Sequence, residues 1–273
     1  MMYIILFITR LISTFIGVLA NMRPPHKLNK AIINSYVRFY GVDTSEIENP
    51  VSFYPSIADF FVRKLVRQTQ IIDSNSICSP VDGVLRTYGE INDICPVIVK
   101  DQRFDWNSFL LHPDLKNEFS NGTFFNFYLS PKDYHHVHFP LAGRVLEVIH
   151  HPGGLLPVND WSTARFPNLF CFNERVIAVV EGPVFRFLVI MIGAMNVGSI
   201  ELAFDPGFKR SFFALKEKRY ALNSKTNHEA CARFGSFKLG SSVVCVFPKG
   251  VIENVAALAN THVKYGDKLA SLR

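Results

Sequence analysis

Three histidines within four residues form the densest group of chemically useful side chains in the sequence. His135, His136 and His138 stand beside Asp133 and Tyr134. Imidazole titrates near neutral pH, so the group suits acid–base chemistry. His135 and His138 would share one face of a helix and could bind a metal, but no cluster of carboxylates or cysteines supplies further ligands. A turn carrying surface histidines is the third alternative.

A second feature is Gly240 followed by Ser241, just before the apolar run Ser242–Phe247. The serine hydroxyl can attack the glycine carbonyl here and shift the acyl group from nitrogen to oxygen, because glycine has no Cβ to hinder the approach. Elimination from the ester gives dehydroalanine, which hydrolyses to a pyruvoyl group. A base must take the serine proton, and a carboxylate should hold that base. Gly-Ser pairs are also common in hairpin turns.

Asp82 is the candidate for that carboxylate. It precedes Gly83 within Ser79–Gly83, and an Asp before Gly at a strand edge is most often a turn residue. The functional alternative is a buried carboxylate that orients a histidine. Two other polar segments, 172–176 and 193–199, are by themselves typical of turns and bulges, where Asn and Gly tolerate positive φ.

The pattern of apolar residues places these segments in a β-rich body. From about residue 77, short apolar runs alternate with Gly, Pro, Asn and Asp turns, which predicts many, mostly antiparallel strands. No long helical pattern separates the runs, so a doubly wound parallel sheet is not expected. The clearest predicted strands are Thr123–Leu129, Arg144–Ile149, Arg175–Val180, Phe185–Ile192 and Ser242–Phe247.

The first 70 residues have a helical pattern instead. Helices are predicted over about 28–40 and 56–65, the second with Ser56 as its N-cap. The predicted fold class is α+β. A boundary near residue 70 separates an N-terminal helical, membrane-associating region, 1–70, from a β-rich catalytic domain, 71–273.

Residues 1–20 are apolar apart from Arg10 and a few hydroxyl groups. A transmembrane helix, a secretory signal and a helix in the membrane interface are the alternatives. Arg10 would be costly at the centre of a bilayer, and the first nine residues lack the charge of a signal. Residues 1–42 contain five basic and no acidic residues. This bias favours an interfacial helix on an anionic inner leaflet, with Arg10 reaching toward the head groups.

The composition narrows the class of partner. A net charge of +6 and a pI of about 9.1 suit an anionic partner. Nucleic acid is not expected, because zinc-finger spacing and RNP-like aromatic pairs are absent from the sequence. P-loop, dinucleotide-binding, nucleophile-elbow and zinc-protease motifs are absent from it as well. Five cysteines without a CxxC pair fit a reducing compartment and predict buried, inert thiols.

Taken together and in this order, the polar segments resemble the bacterial type of the phosphatidylserine decarboxylase family. Ser79–Gly83 resembles the family's Ser-Pro-Ala-Asp-Gly. The segment 128–138 resembles its Tyr-Leu-Ser-Pro-Arg-Asp-Tyr-His-Arg-Val-His, and Leu239–Ser242 resembles its Leu-Gly-Ser-Thr cleavage motif. Further matches, which extend the resemblance over most of the chain, are Tyr40–Asp43, Asp59–Arg63, Pro167–Phe170, Asn173–Val176 and Gly193–Ile200.

The resemblance implies roles for individual residues. Ser241 is the precursor of a pyruvoyl cofactor, and the chain is cut after Gly240 into a large chain, 1–240, and a small chain, 241–273. Asp82 and His138 match the partners that activate Ser241 for self-cleavage. His135 matches the histidine of the decarboxylation step. No metal is expected.

The resemblance also implies an activity and a location. Phosphatidylserine is converted to phosphatidylethanolamine and CO2, with the pyruvoyl group as electron sink. The two cleaved chains stay together, typically in a homodimer, peripherally on the cytoplasmic face of the cell membrane. Departures from the family pattern bear on maturation and substrate contact; they are Val81, Pro157, Ser242 and the displaced Glu229.

Two other functions remain open on the residues alone. One is a membrane protein that cuts itself and binds acidic lipids without decarboxylating them. The other is a metal-dependent hydrolase built on His135, His136 and His138.

Overall fold

The computed structural model confirms the α+β class, with N-terminal helices followed by a β-rich body. It describes residues 2–67, 73, 75–91, 95–99, 102–104, 106–157, 162, 168–194, 200–208, 216–238 and 241–273. For residues 2–5, 95–99, 102–104, 107 and 241 it describes the backbone alone.

The described residues form six α-helices and sixteen strands. The helices are α1 Met2–Ala20, α2 His26–Tyr40, α3 Ile57–Phe61, α4 Trp106–Leu110, α5 Pro113–Glu118 and α6 Leu169–Phe172. The strands are β1 Ser76–Cys78, β2 Gly83–Glu90, β3 Cys95–Val99, β4 Gln102–Phe104, β5 Thr123–Leu129, β6 His136–His138, β7 Arg144–His151, β8 Arg175–Glu181, β9 Arg186–Gly193, β10 Ile200–Leu202, β11 Lys218–Ala221, β12 Arg233–Phe237, β13 Ser241–Phe247, β14 Ile252–Val255, β15 Thr261–Val263 and β16 Lys268–Leu272.

An eight-stranded sheet is the centre of the body, in the order β11-β7-β8-β9-β13-β5-β2-β15. Smaller sheets have the orders β1-β16-β14, β10-β12-β6 and β3-β4. Every strand pair in these four sheets is antiparallel, as the turn-rich sequence predicts. β13 is a central strand, paired along its length with β5 on one side and β9 on the other.

The two faces of the main sheet are covered differently. Alternate residues of β13 enter two separate cores, because successive side chains of a strand point to opposite faces. Val243, Cys245 and Phe247 pack with the small sheets, and Val244 and Val246 pack with helices α4 to α6. With both faces buried, β13 reads as a continuous apolar run.

The N-terminal helices agree with prediction in position and differ in length. α2 is followed by Gly41 in the left-handed conformation, at a φ of 67°. Ser56 caps α3 by accepting a hydrogen bond from the Asp59 N–H, as predicted. α3 ends at Phe61, because the chain beyond it extends and Leu65 forms an isolated β-bridge. The predicted boundary near residue 70 lies outside the described residues and remains a prediction.

Gly83 offers a test of the close approach of β2 to β5. A Cβ at Gly83 would lie 2.5 Å from the carbonyl oxygen of Tyr128, whereas one at Gly89, in the same strand, would first meet a Phe124 ring carbon at 3.6 Å. Gly83→Ala should lower the free energy of unfolding in urea by about 1–3 kcal/mol. Gly89→Ala, the matched control, should change it by about 0.5 kcal/mol or less. Equal losses in the two variants would contradict this packing.

Candidate active site

Five strands of the main sheet begin or end in one row at a single edge. Ser241, the first residue of β13, pairs with Gly193 at the end of β9 and with Leu129 at the end of β5. Gly83, the first residue of β2, lies beside Leu129 and pairs with Val263 at the end of β15. Neighbouring strands are about 4.8 Å apart, so Gly83 is about 10 Å from the Ser241 backbone. The polar segments continue these strands and therefore meet at this edge.

Ser241, the second residue of the predicted cleavage site, belongs to this row. The structure describes the backbone of Ser241, whereas Gly240 lies outside the described residues. Residue 167 and residues 195–199 of the matched segments lie outside them too.

Asp82 lies beside this row of strand ends and accepts hydrogen bonds from two other residues. It is buried and accepts hydrogen bonds from both terminal guanidinium nitrogens of Arg67, at 2.9 and 3.0 Å. The backbone N–H of Tyr265 donates to Asp82 Oδ1 at 2.8 Å. Arg67 also donates to Glu46. The carboxylate therefore has a fixed position, set by residues on both sides of the predicted cut.

His138 lies in β6, buried between the loop before β2 and the turn before β12. Its backbone N–H donates to the carbonyl of Pro80 at 2.8 Å, and its Nδ1 lies 2.7 Å from the carbonyl oxygen of Cys231. Burial lowers the pKa of His138 to about 4. The neutral ring must carry its proton on Nδ1, since a carbonyl can only accept. Nε2, 3.3 Å from the Tyr134 hydroxyl, therefore carries the lone pair.

Tyr265 connects Asp82 with His138, which share no direct hydrogen bond among the described contacts. While its N–H donates to Asp82, its ring stacks on the His138 imidazole with centroids 4.1 Å apart and planes 9° apart. The Tyr265 hydroxyl donates to the carbonyl of Arg67 at 3.2 Å. Sequence analysis missed Tyr265, because the Tyr-Gly-Asp turn at 265–267 has no feature that marks it as part of a site.

His135 and His136 face different partners. His135 is fully buried; its Nδ1 lies 2.8 Å from the carbonyl of Asp133, and its ring packs on Phe61 at 4.0 Å. The Nε2 of His136 lies 2.8 Å from the carbonyl of Val62. Burial lowers the pKa values of His135 and His136 to about 3 and 4. Nε2 of His135 is buried with no hydrogen-bond partner among the described residues.

The three histidines have different hydrogen-bond partners, which is relevant to the hypothesis that they bind a metal together. Each of the three rings has one nitrogen on a backbone carbonyl. In the part of the chain that the structure describes, no three His, Cys, Asp or Glu side chains converge as metal ligands.

The N-terminal helices dock on the same edge of the sheet. The hydroxyl of Thr9 in α1 accepts from the N–H of Leu155 at 3.2 Å. The hydroxyl of Tyr36 in α2 donates to the carbonyl of Pro131 at 2.6 Å. Beyond α3, Arg63 donates to the carbonyl of Lys132 at 2.7 Å. All three helices are thus fixed to loops that continue the central strands.

The side of α1 that faces the body includes three buried polar residues, and the other side is apolar. Thr9, Arg10 and Ser13 are buried. The exposed side consists of Phe7, Ile8, Leu11, Ile12, Phe15, Val18 and Leu19. The prediction that Arg10 reaches toward lipid head groups is therefore wrong: its side chain packs against the protein and leaves the outer side of the helix uncharged. Among the described residues, no helix has the length and apolar character needed to cross a membrane.

Two cavities lie at opposite ends of the main sheet. One of about 320 Å³ lies beside the row of strand ends, and its lining includes Arg63, Arg67, Asp82, Asp133 and Tyr134. A larger one, about 780 Å³, is lined by 181–186 and other residues at the opposite ends of β8, β9 and β13. The smaller cavity is the one that adjoins the candidate site.

Comparison with known proteins supplies a family. A family model described as phosphatidylserine decarboxylase matches residues 57–271. The chain belongs to the phosphatidylserine decarboxylase family. Relatives named phosphatidylserine decarboxylase proenzyme include one from Coxiella burnetii (strain RSA 493 / Nine Mile phase I), which is 32% identical over 268 residues, 96% of this chain and 94% of the relative. One from Bordetella avium is 35% identical over 248 residues, covering 89% and 83%. One from Salmonella arizonae is 35% identical over 254 residues, covering 89% and 79%.

Membership of the decarboxylase family, a family of carboxy-lyases, confirms the resemblance on which the residue roles were predicted. The structure brings Asp82, His135 and His138 to the edge where Ser241 begins β13. Their individual roles remain predictions.

The stacking of Tyr265 on His138 gives a prediction that NMR can check. Tyr265→Ala removes the ring that shields the imidazole from water, so the pKa of His138 should rise from about 4 toward the ordinary 6.5. Tyr265→Phe keeps the ring and should leave the pKa unchanged. A histidine titration followed by NMR measures both variants. An unchanged pKa in Tyr265→Ala would show that the ring does not shield His138.

Proposed function

We propose that this chain is a phosphatidylserine decarboxylase that cuts itself between Gly240 and Ser241 and works with a pyruvoyl group made from Ser241. The position of β13 carries the proposal. Its first residue lies in the row of strand ends beside which Asp82, His135 and His138 are held. The family supplies the reaction, which converts phosphatidylserine to phosphatidylethanolamine and CO2.

His138 is the base of self-cleavage in this proposal. The carbonyl of Cys231 holds the proton on Nδ1, so the lone pair is on Nε2. During maturation Nε2 exchanges its 3.3 Å contact with the Tyr134 hydroxyl for the hydroxyl proton of Ser241. The serine oxygen then bonds to the carbonyl carbon of Gly240 and the peptide nitrogen leaves, which gives an ester. Elimination releases Gly240 as a carboxylate and leaves dehydroalanine at 241. Addition of water and loss of ammonia complete the pyruvoyl group.

Asp82 acts on this base through Tyr265. The bond from the Tyr265 N–H to Asp82 fixes the backbone at 265, and the stacked ring fixes the plane of His138. A negative charge near the ring also stabilises the imidazolium that forms when Nε2 takes the proton. Asp82 is therefore a positioning residue in the uncut chain.

The small chain remains bound after the cut, because its strands are distributed through two sheets. β13 stays between β5 and β9, β15 stays on β2, and β16 stays between β1 and β14. The new N-terminus therefore stays in the row of strand ends, where the neighbouring residues can accommodate a pyruvoyl group. Nε2 of His135 is buried and has no hydrogen-bond partner among the described residues, so a pyruvoyl group or its substrate could supply one.

The pyruvoyl group supplies an electron sink for the loss of CO2. His135 is the residue proposed to protonate the substrate carbon. Its low pKa keeps it neutral, with the lone pair on Nε2. Nε2 can therefore accept a hydrogen bond from the head-group ammonium, but a ring with so low a pKa is too weak a base to remove that proton, which water takes before the amine reacts. A proton that reaches Nε2 is held weakly, because burial makes the charged ring a strong acid, and it passes to the substrate carbon that has lost CO2.

The exposed side of α1 supports a membrane location for this chemistry. The substrate's acyl chains stay in the bilayer, so the site must reach the interface. α1 offers an uncharged apolar side, and α1 to α3 are fixed to the loops around the site. Arg23, Lys27, Lys30 and Arg38, in and just before α2, are exposed and suit anionic lipid. In this proposal the protein is peripheral to the cytoplasmic face of the membrane and forms a homodimer of cleaved pairs, as the resemblance to the family implies.

A paired substitution separates the roles of the two histidines. Asparagine can keep the donor to the backbone carbonyl that Nδ1 provides, but it lacks Nε2. His138→Asn should stay uncut, like Ser241→Ala, because the base is gone. His135→Asn should be cut normally and decarboxylate phosphatidylserine about 10²- to 10⁴-fold more slowly. Denaturing electrophoresis and CO2 release measure the two steps. Cleavage of His138→Asn, or full activity of His135→Asn, would refute the assignment.

The membrane side of α1 can be tested with a matched pair of exposed residues. Phe15→Glu places a charge on the apolar side and should weaken binding to phosphatidylserine-containing vesicles about tenfold, the equivalent of one unburied aromatic side chain. Val184→Glu, at the opposite end of the main sheet, should leave binding unchanged, although Val184 is 89% exposed. Sedimentation with vesicles measures both. Equal binding by the two variants would argue against α1 as the docking surface.

A further inference from the structure

Two cysteines outside the proposed reaction lie within reach of each other. The Sγ atoms of Cys78, the last residue of β1, and Cys231, in the turn before β12, are 3.3 Å apart. Both are free thiols, and 153 residues separate them along the chain. Cys78 is fully buried, whereas Cys231 is half-buried and has a φ of 64°.

Backbone hydrogen bonds fix the positions of the two cysteines. The N–H of Cys78 donates to the carbonyl of Pro140 at 2.9 Å, and the N–H of Cys231 donates to the carbonyl of Phe139 at 2.8 Å. Both cysteines are thus anchored to consecutive carbonyls of one strand extension. A disulfide has an S–S distance of about 2.05 Å, so the sulfurs need to approach by about 1.3 Å.

The two thiols differ in chemical character. The hydrogen bond from the Cys78 thiol lowers the pKa of Cys231, and the same bond together with burial raises the pKa of Cys78. The half-buried Cys231 is therefore the thiol that ionises and reacts with a small oxidant. Cys78 lies close enough to attack the sulfenic acid that forms and to make a disulfide.

We propose that Cys78 and Cys231 form a reversible oxidation site for small hydroperoxides. The Cys231 thiolate attacks the peroxide oxygen, which breaks the O–O bond and gives a sulfenic acid and hydroxide. The Cys78 sulfur then attacks Cys231 Sγ, forms the S–S bond and expels the sulfenic oxygen as water. With hydrogen peroxide, two thiols and one peroxide give one disulfide and two waters.

Oxidation of this cysteine pair affects His138, the proposed base of self-cleavage. The carbonyl of Cys231 accepts the Nδ1–H of His138 at 2.7 Å, so drawing Cys231 toward β1 moves the group that orients the ring. Oxidation of the uncut chain therefore slows self-cleavage. This consequence rests on the proposed function, whereas formation of the disulfide does not.

Intact mass tests the site itself. The purified full-length protein is treated with hydrogen peroxide, denatured with a thiol-blocking reagent and weighed before and after dithiothreitol. The segment that holds both cysteines should lose two hydrogens and regain them on reduction. Cys78→Ser and Cys231→Ser should abolish this change, and Cys171→Ser, a half-buried control, should retain it. No reducible loss, or its survival in Cys78→Ser, would overturn the proposal.

The rate of self-cleavage tests the consequence. Newly translated chain is followed with and without peroxide, and peroxide should slow cleavage at least about tenfold in the original chain and in Cys171→Ser, but not in Cys78→Ser. A disulfide without slower cleavage would overturn the link to His138. A chain that is never cut, with or without peroxide, would refute the proposed function and leave the mass result on the thiols standing.

Discussion

The pairing of β13 on both sides is the constraint on which the rest of the structure depends. Backbone hydrogen bonds tie this strand to β5 and β9, and its side chains fill both cores. A cut before its first residue therefore releases one end of a strand that remains fixed everywhere else. A group made from Ser241 can stay in one position for the rest of the protein's life without a dedicated binding pocket.

The same arrangement makes the site depend on both predicted chains. The turn after β15 belongs to the small chain, and it brings Tyr265 to Asp82 and to the ring of His138. His262 reaches Asp133 at 3.0 Å from the same segment. In the proposed mechanism, folding must therefore bring the C-terminal segment to the site before self-cleavage begins.

Sequence analysis predicted the parts of the site that local patterns encode. Strand periodicity located β5 and β13, and the Ser56 cap follows from turn chemistry alone. The bond between Tyr265 and Asp82 spans 183 residues, and the approach of Cys78 to Cys231 spans 153. No local signal reports such contacts. The burial of Arg10 was missed for a related reason: a lone charge in an apolar helix does not reveal which side meets protein.

Intact mass under denaturing conditions tests the central claim most directly. The account predicts two chains, 1–240 and 241–273, with the small chain lighter than a serine-terminated peptide by the mass of one ammonia molecule. A single uncut chain of 273 residues from a preparation active on phosphatidylserine would contradict it. So would a small chain that begins with an unmodified serine.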